Sequence, residues 1–404
     1  MMKIVEGGVT TPKGFSAQGV CAEIKKKGND KKDVAIIYSS QPGNAAGVFT
    51  TNQVRAACID LNRQHLLDGK AQAVIANSGN ANACTGEQGM LDARRMAELG
   101  AELLQIQAED ILVGSTGVIG VQMPMERIEA GIKEAAQGLS VAGGHSAAQA
   151  IMTTDLQSKE IAVSIEIQGK PVCIGAMAKG SGMIHPNMAT MLAFITTDAA
   201  ISSKCLKKLI KDSSSLSYNM ISVDRDTSTN DMAVIMANGL AGNSCIEDEN
   251  SPDYKLFKEA LDYVNIFLAK MIARDGEGAS KLIEVQVKNA ADEDSARRIA
   301  RSITSSNLTK TAVFGKDANW GRILAAAGYS GAEFDAYKVD IYLGQEKMAE
   351  NGMGLVFDED KARAELEKET VLIIVDMKAG HSEATAWGCD LSYEYVRINA
   401  DYRT

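Results

Sequence analysis

The chain has 404 residues, of which 45% are apolar and 23% are charged. These values are typical of a globular protein with a sizeable core, built as one large layered domain or two average ones. The formal net charge of -10 argues against a nucleic-acid partner, because phosphate binding requires a basic surface.

The sequence shows no pattern typical of a targeting segment or a metal site. No apolar run approaches the roughly 20 residues that a membrane span requires, and the N-terminus lacks the layout of a signal peptide. The seven cysteines form no Cys-x-x-Cys pair, and the four histidines lack helical i, i+4 spacing. We therefore expect a cytoplasmic protein with no membrane partner, no disulfide framework and no metal site.

The first elements in the chain are strands. Short β-branched runs predict strands over residues 34–38, 47–51, 54–59 and 73–76, with a turn over residues 39–44. A loop rich in glycine and asparagine follows over residues 77–89 and leads into a helix over residues 90–104. Such a loop can present backbone N–H groups to an anion, or it can be only a well-capped turn.

Residues 111–120 predict a strand that breaks at a Ser-Thr-Gly turn. At such a turn, Thr116 and Gly117 can direct a hydroxyl and a backbone N–H together into a cleft, as an oxyanion hole requires. Turn residues are also common at strand ends for purely structural reasons, and the spacing alone does not separate the two.

The rest of the chain mixes helices and strands. Helices are predicted over residues 126–137, 146–152, 202–214, 252–275 and 292–302, and strands over residues 161–167, 171–177, 232–236, 282–287, 339–343, 369–376, 384–389 and 395–399. Residues 310–324 predict a strand, a polar loop and a helix start. Arg297, Arg298 and Arg301 form a basic helix face, which in an acidic chain is typically a solvated surface. This mixture predicts a layered α/β (α+β) fold with mixed or antiparallel sheets.

Ala189 and Thr190 lie where a glycine-rich loop runs into an apolar segment. A threonine hydroxyl can attack the carbonyl before it, forming an ester that water hydrolyses. The new N-terminal threonine then has its own α-amine, with an unperturbed pKa near 7.7–8.0, as the base that activates its hydroxyl. Taken alone, a threonine in an apolar segment is usually an ordinary strand residue.

Several long motifs, in order along the whole chain, resemble the ornithine acetyltransferase (glutamate N-acetyltransferase, ArgJ) family. They are Lys-Gly-Ser-Gly-Met-Ile-His-Pro-Asn-Met-Ala-Thr (residues 179–190), Asn-Ser-Gly-Asn-Ala-Asn-Ala-Cys-Thr-Gly (77–86), Ser-Thr-Gly-Val-Ile-Gly (115–120), Met-Thr-Thr-Asp (152–155), Asp-Gly-Glu-Gly-Ala (275–279), Lys-Asp-Ala-Asn-Trp-Gly-Arg (316–322) and the ending 399–404. Ser280 and Ala318 depart from the family pattern, where threonine and proline are common.

The resemblance implies an N-terminal-nucleophile fold with αββα layers. It also implies self-cleavage between Ala189 and Thr190 into an α chain (1–189) and a β chain (190–404), with residues 282–404 as a C-terminal subdomain. The two chains stay together, usually as α2β2.

The family's site residues carry over one by one. Thr190 matches the nucleophile that carries the acetyl group, and Thr116 and Gly117 match the oxyanion-hole pair. Substrate-contacting positions are matched by Thr153, Lys179, Thr190, Glu277, Asn399 and Thr404.

The implied reaction moves an acetyl group from N2-acetyl-L-ornithine to L-glutamate in arginine biosynthesis, with no cofactor. Some members also use acetyl-CoA as a donor, and no motif here decides that point. Two alternatives are a self-processing aminopeptidase or amidohydrolase with an N-terminal nucleophile, and a non-enzymatic binding protein with a glycine-rich ligand loop.

Overall fold

The structure, a computed structural model, describes residues 2–24, 28, 30–185 and 191–401. Within these residues the chain forms a nine-stranded and a seven-stranded sheet, both mixed, with helices packed against them. The predicted α/β layered class is therefore confirmed. No helix in this part of the chain is both long and apolar enough to cross a membrane.

The strands are β1 (Lys3–Val5), β2 (Phe15–Val20), β3 (Val34–Phe49), β4 (Lys70–Asn80), β5 (Ile111–Val118), β6 (Lys159–Ile167), β7 (Lys170–Lys179), β8 (Leu192–Thr197), β9 (Ile221–Ser222), β10 (Met232–Ala237), β11 (Leu282–Ala290), β12 (Asp340–Leu343), β13 (Glu346–Glu350), β14 (Met353–Gly354), β15 (Thr370–Asp376) and β16 (Ser382–Cys389). The helices are α1 (Ala57–His65), α2 (Gly86–Leu104), α3 (Met125–Gln137), α4 (Gly144–Ala150), α5 (Ser203–Leu216), α6 (Pro252–Arg274), α7 (Glu293–Ser305), α8 (Asn307–Phe314), α9 (Trp320–Gly328), α10 (Glu359–Glu367) and α11 (Tyr393–Asp401).

The larger sheet has the strand order β1-β6-β7-β8-β10-β3-β4-β5, with β2 also paired to β3. The first half of β3 pairs with β2 and β4, and its second half pairs with β10. In a flat sheet β5 and β8 would be four strands, or about 19 Å, apart. Instead, the Phe194 ring of β8 lies 3.1 Å from where a Cβ on Gly114 of β5 would be. The sheet is therefore folded over at β3, and its two halves face each other across an apolar core.

Helices cover both outer faces of this folded sheet. On one side α3 and α4 pack on β2 and β3, and α2 packs on β5. On the other side α5 packs on β3 and β10, and α6 packs on β6 and β7. The order is helices, half-sheet, half-sheet, helices.

The smaller sheet has the order β14-β13-β12-β15-β11-β16-β9, and α7 packs on β11 and β16. Helix α6 joins the two sheets because it contacts both β6 and β16. Its start is fixed by Ser251, whose hydroxyl accepts the Tyr254 N–H at 3.2 Å, and by Pro252 in the first turn. Buried residues at Phe257, Leu261, Val264 and Leu268 then follow the helical period.

Several predictions of local structure were wrong. Residues 54–59 were predicted as a strand but lead into α1, and residues 395–399 were predicted as a strand but lie in α11. The strand predicted at the start of residues 310–324 is the end of α8. The turn predicted over residues 39–44 is the point where β3 changes register and bends from one half-sheet to the other.

Candidate active site

The six predicted site residues in the described part of the chain line one cavity, although they come from separate elements. They are Thr116, Gly117, Thr153, Lys179, Glu277 and Asn399. Ala189, Thr190 and Thr404 lie outside the described residues. The cavity is at the end of the folded sheet where β5 and β7 end and β8 and β10 begin.

Gly117 needs to be glycine. Its φ of +133° lies in the region that side chains rarely adopt, and a Cβ there would be 2.4 Å from the Gly79 carbonyl carbon. The β4–β5 register shifts at this point, at Asn80. The predicted strand break is wrong, because β5 continues to Val118. The irregular pairing places both Thr116 and Gly117 on the cavity wall.

Lys179 ends β7 and points at Thr116, with 3.4 Å between its Nζ and the Thr116 hydroxyl. Burial lowers the pKa of the Lys179 ammonium, while the carboxylate of Asp155 acts in the opposite direction. Burial alone would raise the pKa of Asp155, but the ammonium groups of Lys159 and Lys179 hold it below its usual range. Asp155 is therefore ionised at neutral pH.

A buried ion triad fixes this wall of the cavity. The Lys159 ammonium lies 2.7 Å from an Asp155 oxygen and 2.6 Å from an Asp275 oxygen. Asp155 also accepts the N–H groups of Gly180 at 2.7 Å and Thr153 at 2.9 Å. The triad thus holds the backbone beside two predicted substrate-contacting residues. Sequence reasoning did not identify Lys159, although its two partners lie in motifs that it did identify.

Glu277 forms another part of the cavity wall. Its backbone N–H donates to the Ser181 carbonyl at 3.0 Å, and its carboxylate accepts the Asn399 side-chain amide at 2.8 Å. A Cβ on Gly182 would lie only 2.4 Å from the Glu277 carboxylate carbon, so a side chain at that position would displace the carboxylate. Helix α11 therefore closes the site through Asn399.

The loop before β10 also lines the cavity, through Ser228, Thr229 and Asn230. The Asn230 amide donates to the carbonyls of Ala81 at 2.6 Å and Ser115 at 2.7 Å, which ties the loop to β5. These residues were not predicted as part of the site. The available signal was a polar loop immediately before an apolar strand.

Asp231 follows this loop and is buried, and its Oδ2 atom has no hydrogen-bond partner among the described residues. Burial raises the pKa of this carboxyl well above its usual range, against smaller opposing effects of Ser228 and Lys179. The next residue, Met232, donates its N–H to the Met191 carbonyl at 2.8 Å. A buried carboxyl with a raised pKa therefore lies beside the start of β8.

The glycine- and asparagine-rich segment over residues 77–89 uses its polar side chains internally. Asn77 accepts the Ser115 hydroxyl at 2.7 Å, and Asn82 donates to the Gly89 carbonyl at 2.8 Å. Thr85 donates to the Asn82 side chain at 2.7 Å. These bonds favour a structural role for the segment over an anion site, although Thr85 makes no side-chain cap at the start of α2.

Comparison with known proteins identifies the family of this chain. The ArgJ family model matches residues 16–404. Two relatives named arginine biosynthesis bifunctional protein ArgJ, from Symbiobacterium thermophilum and Caldanaerobacter subterraneus subsp. tengcongensis, are 57% and 56% identical, with full coverage of both chains. A crystal structure of the protein of that name from Bacillus halodurans is 47% identical with a TM-score of 0.51, and covers 52% of this chain and 98% of that chain. The chain belongs to the ArgJ family.

Proposed function

We propose that this chain is an acetyltransferase of arginine biosynthesis that moves the acetyl group from N2-acetyl-L-ornithine to L-glutamate. The names of the relatives supply the pathway. The observation that carries the proposal is the convergence of Thr116, Gly117, Thr153, Lys179, Glu277 and Asn399 on one cavity. Such convergence of residues distant in the chain is expected of a binding site and not of unrelated surface positions.

The nucleophile in this proposal is Thr190. Its hydroxyl attacks the Ala189 carbonyl, and water hydrolyses the resulting ester, giving an α chain (1–189) and a β chain (190–404). The solved chain from Bacillus halodurans supports a division of this kind, because nearly all of it aligns to about half of this chain. We propose that the two chains stay together in a cytoplasmic α2β2 assembly.

Acetyl transfer then takes two steps. The Thr190 α-amine takes the hydroxyl proton as the oxygen attacks the acetyl carbonyl, and ornithine leaves with that proton. The glutamate amine next attacks the acetyl ester and restores the hydroxyl, so the kinetics are ping-pong. Each step passes through an oxyanion, which Thr116 and Gly117 stabilise.

The charges of the cavity suit these substrates. The Lys179 ammonium can pair with a substrate carboxylate, and the Glu277 carboxylate, oriented by Asn399, can pair with the side-chain ammonium of ornithine. Thr153 and Thr404 complete the proposed contacts. The mechanism needs no cofactor, and acetyl-CoA as a second donor is consistent with the word bifunctional in the relatives' name.

Replacement of the nucleophile tests the proposal. Thr190→Ala should give one uncut polypeptide on a denaturing gel and no acetyl transfer to glutamate, whereas Thr190→Ser keeps a hydroxyl and should still be cut. A processed and active Thr190→Ala protein would contradict the proposal. Measuring free acetate alongside N-acetylglutamate separates transfer from the hydrolysis expected of an amidohydrolase.

A second variant tests the oxyanion role. Thr116→Val removes the hydroxyl at nearly constant volume and should lower turnover on the order of 10²–10³-fold. Thr116→Ser is the matched control because it retains the hydroxyl. Equal turnover of the valine and serine variants would show that the hydroxyl does not act on the oxyanion.

A further inference from the structure

The candidate active-site cavity is small and mostly polar. Its volume is about 100 Å³, below the roughly 300–1,000 Å³ of most small-molecule sites. Of the described lining residues, only Ile119 and Met183 have apolar side chains, and the others are glycines or carry a hydroxyl, amide or charged group. An apolar side chain here favours an apolar part of the ligand, because a polar group placed against it would lose its hydrogen bonds with water.

Ile119 lies beside the proposed oxyanion hole. It follows Gly117 by two residues, and Thr116, Gly117 and Ile119 line the same cavity. The Ile119 side chain is half-buried and packs against the buried apolar cluster that includes residues of β4 and β5. Because isoleucine is branched at Cβ, its χ1 angle is strongly restricted. Ile119 therefore presents a stiff apolar surface next to the proposed place of the acyl oxygen.

The backbone around Ile119 is fixed by the glycine- and asparagine-rich segment. On one side, the Val118 carbonyl accepts the Ala81 N–H at 2.9 Å. On the other side, the Gly120 N–H donates to the Ala83 carbonyl, also at 2.9 Å. Ile119 cannot move away from the cavity without breaking these bonds. The internal hydrogen bonding of that polar segment thus has a consequence for the shape of the cavity.

Met183, the other apolar lining residue, belongs to a different part of the cavity. It follows Gly182, which lies against the Glu277 carboxylate, where the ornithine side chain is proposed to bind. Its backbone is left-handed, with a φ of +55°, and its N–H donates to an Asp224 oxygen at 2.6 Å. The unbranched thioether side chain adapts its shape to its neighbours. A side chain of that kind does not set a sharp limit on the size of a ligand.

We propose that Ile119 forms the wall of an acyl subsite that restricts the transferred group to acetyl. This inference rests on the proposed acetyltransferase function and deepens it. An acyl oxygen held by Thr116 and Gly117 fixes the position of the carbonyl carbon, and the acyl methyl group is bonded to that same carbon. The methyl group therefore lies beside the oxyanion hole, where the apolar side chain on the cavity wall is Ile119.

A longer acyl group would meet this wall. Propionyl adds one methylene to acetyl, and the stiff Ile119 side chain on its fixed backbone leaves that methylene no space. One methylene in an apolar pocket typically changes specificity about 10–200-fold. The wall acts in both half-reactions, because the acyl group occupies the same subsite before and after it is transferred to the threonine.

Transfer from two donors, N2-acetylornithine and N2-propionylornithine, to glutamate tests the assignment on the processed protein. The measured ratio is kcat/KM for the propionyl donor divided by kcat/KM for the acetyl donor. In Ile119→Ala this ratio should rise at least about tenfold above the wild-type ratio. Ile119→Val removes a single methyl group and should raise the ratio by a smaller factor.

Two control variants locate the effect. Val121→Ala is the matched control, because Val121 lies on the same segment, is 51% exposed and is not among the described lining residues. Its ratio should stay at the wild-type value. Met183→Ala should change the rates of the two donors by the same factor. A rise in the Met183→Ala ratio that equals or exceeds the rise in Ile119→Ala would overturn the assignment to Ile119.

An unchanged ratio in both Ile119 variants would also overturn the proposal. If urea titration shows that Ile119→Ala does not fold, the ratio of Ile119→Val decides. If the wild type uses the two donors equally well, only the acyl subsite fails. If the wild type transfers no acetyl group to glutamate, the proposed function fails, and mass spectrometry of the β chain after incubation with each donor alone still decides the subsite.

Discussion

Lys159→Met tests whether the buried ion triad supports the active-site wall. In the folded protein the Lys159 and Asp155 side chains are fully buried, and that of Asp275 is 3% exposed. Methionine fills much of the same space but leaves two carboxyl groups without their shared cation. Removing one partner from a buried ionic group typically costs about 3–5 kcal/mol, because the remaining charge is uncompensated. We expect a loss of that size in the free energy of unfolding at pH 7, measured by urea titration.

The pH dependence gives a stricter test. In the wild type the pKa of Asp155 is held below its usual range, so its stabilisation is present above about pH 4 and is lost as the pH falls further. In Lys159→Met the Lys179 ammonium alone remains to oppose burial, so the pKa of Asp155 should rise relative to the wild type and its charge should become less costly as the pH falls. The difference in unfolding free energy between the two proteins should therefore shrink from pH 7 to pH 3.

Lys208→Met is the control, because the Lys208–Asp212 pair is exposed on α5 and its loss should not change stability measurably. Acetyl transfer should also fall in Lys159→Met, since Asp155 holds the backbone at Gly180 and Thr153. A loss below about 1 kcal/mol at pH 7, or a difference that grows toward low pH, would refute the reasoning.

Three other changes have clear expected outcomes. Gly182→Ala places a Cβ against the Glu277 carboxylate and should lower turnover on the order of 10²-fold, whereas Gly328→Ala, where a Cβ meets no atom within 4 Å, should leave it unchanged. His185→Gln removes a group whose pKa is lowered to about 4 from its usual 6.5. Because the unfolded wild type binds a proton between those values, the variant should gain stability relative to the wild type as the pH falls from 7 to 4, as urea titrations can show. Burial raises the pKa of Asp231, whereas the pKa of Asp155 is held below its usual range. Asp231→Asn should therefore cost less stability at pH 7 than Asp155→Asn; equal losses would contradict this difference.

Local patterning predicted the elements whose burial follows a regular period. The β6–β7 hairpin, β11, β15 and the long helix α6 were all predicted within a few residues of their ends. Each of these segments buries one continuous face, so the spacing of its apolar residues directly indicates which side chains are buried.

Two of the wrong predictions have identifiable physical causes. Residues 54–59 contain β-branched and small residues that suit a strand, but the burial of Cys58, Ile59, Leu61 and Asn62 follows a helical period that extends beyond that window. In α11, residues 395–399 alternate like a strand, yet no residue of that helix is buried. The alternation there does not reflect a buried face, so it did not reveal the helix over residues 393–401.

The candidate site was predictable only in part. Motif resemblance identified the residues that line the cavity, because it carries information about chemistry that local spacing lacks. It did not identify the Lys159–Asp275 contact, whose partners are 116 residues apart, or the tie between Asn230 and Ser115. Such contacts depend on how the folded sheet brings strand ends together, and no local pattern encodes that.

The same geometry explains why a chain could be cut at residue 189 and keep its site. Lys179 at the end of β7 pairs with Leu192 at the start of β8, so the connection between them leaves and re-enters the sheet at one end. Strand β8 also pairs along its full length with β10, which pairs with β3. The two proposed chains would therefore share the strand pairs β7–β8 and β3–β10 inside one sheet. Cleavage between residues 189 and 190 would leave these described strand pairs in place, and it would free a new N-terminus at the sheet end that also holds Thr116 and Lys179.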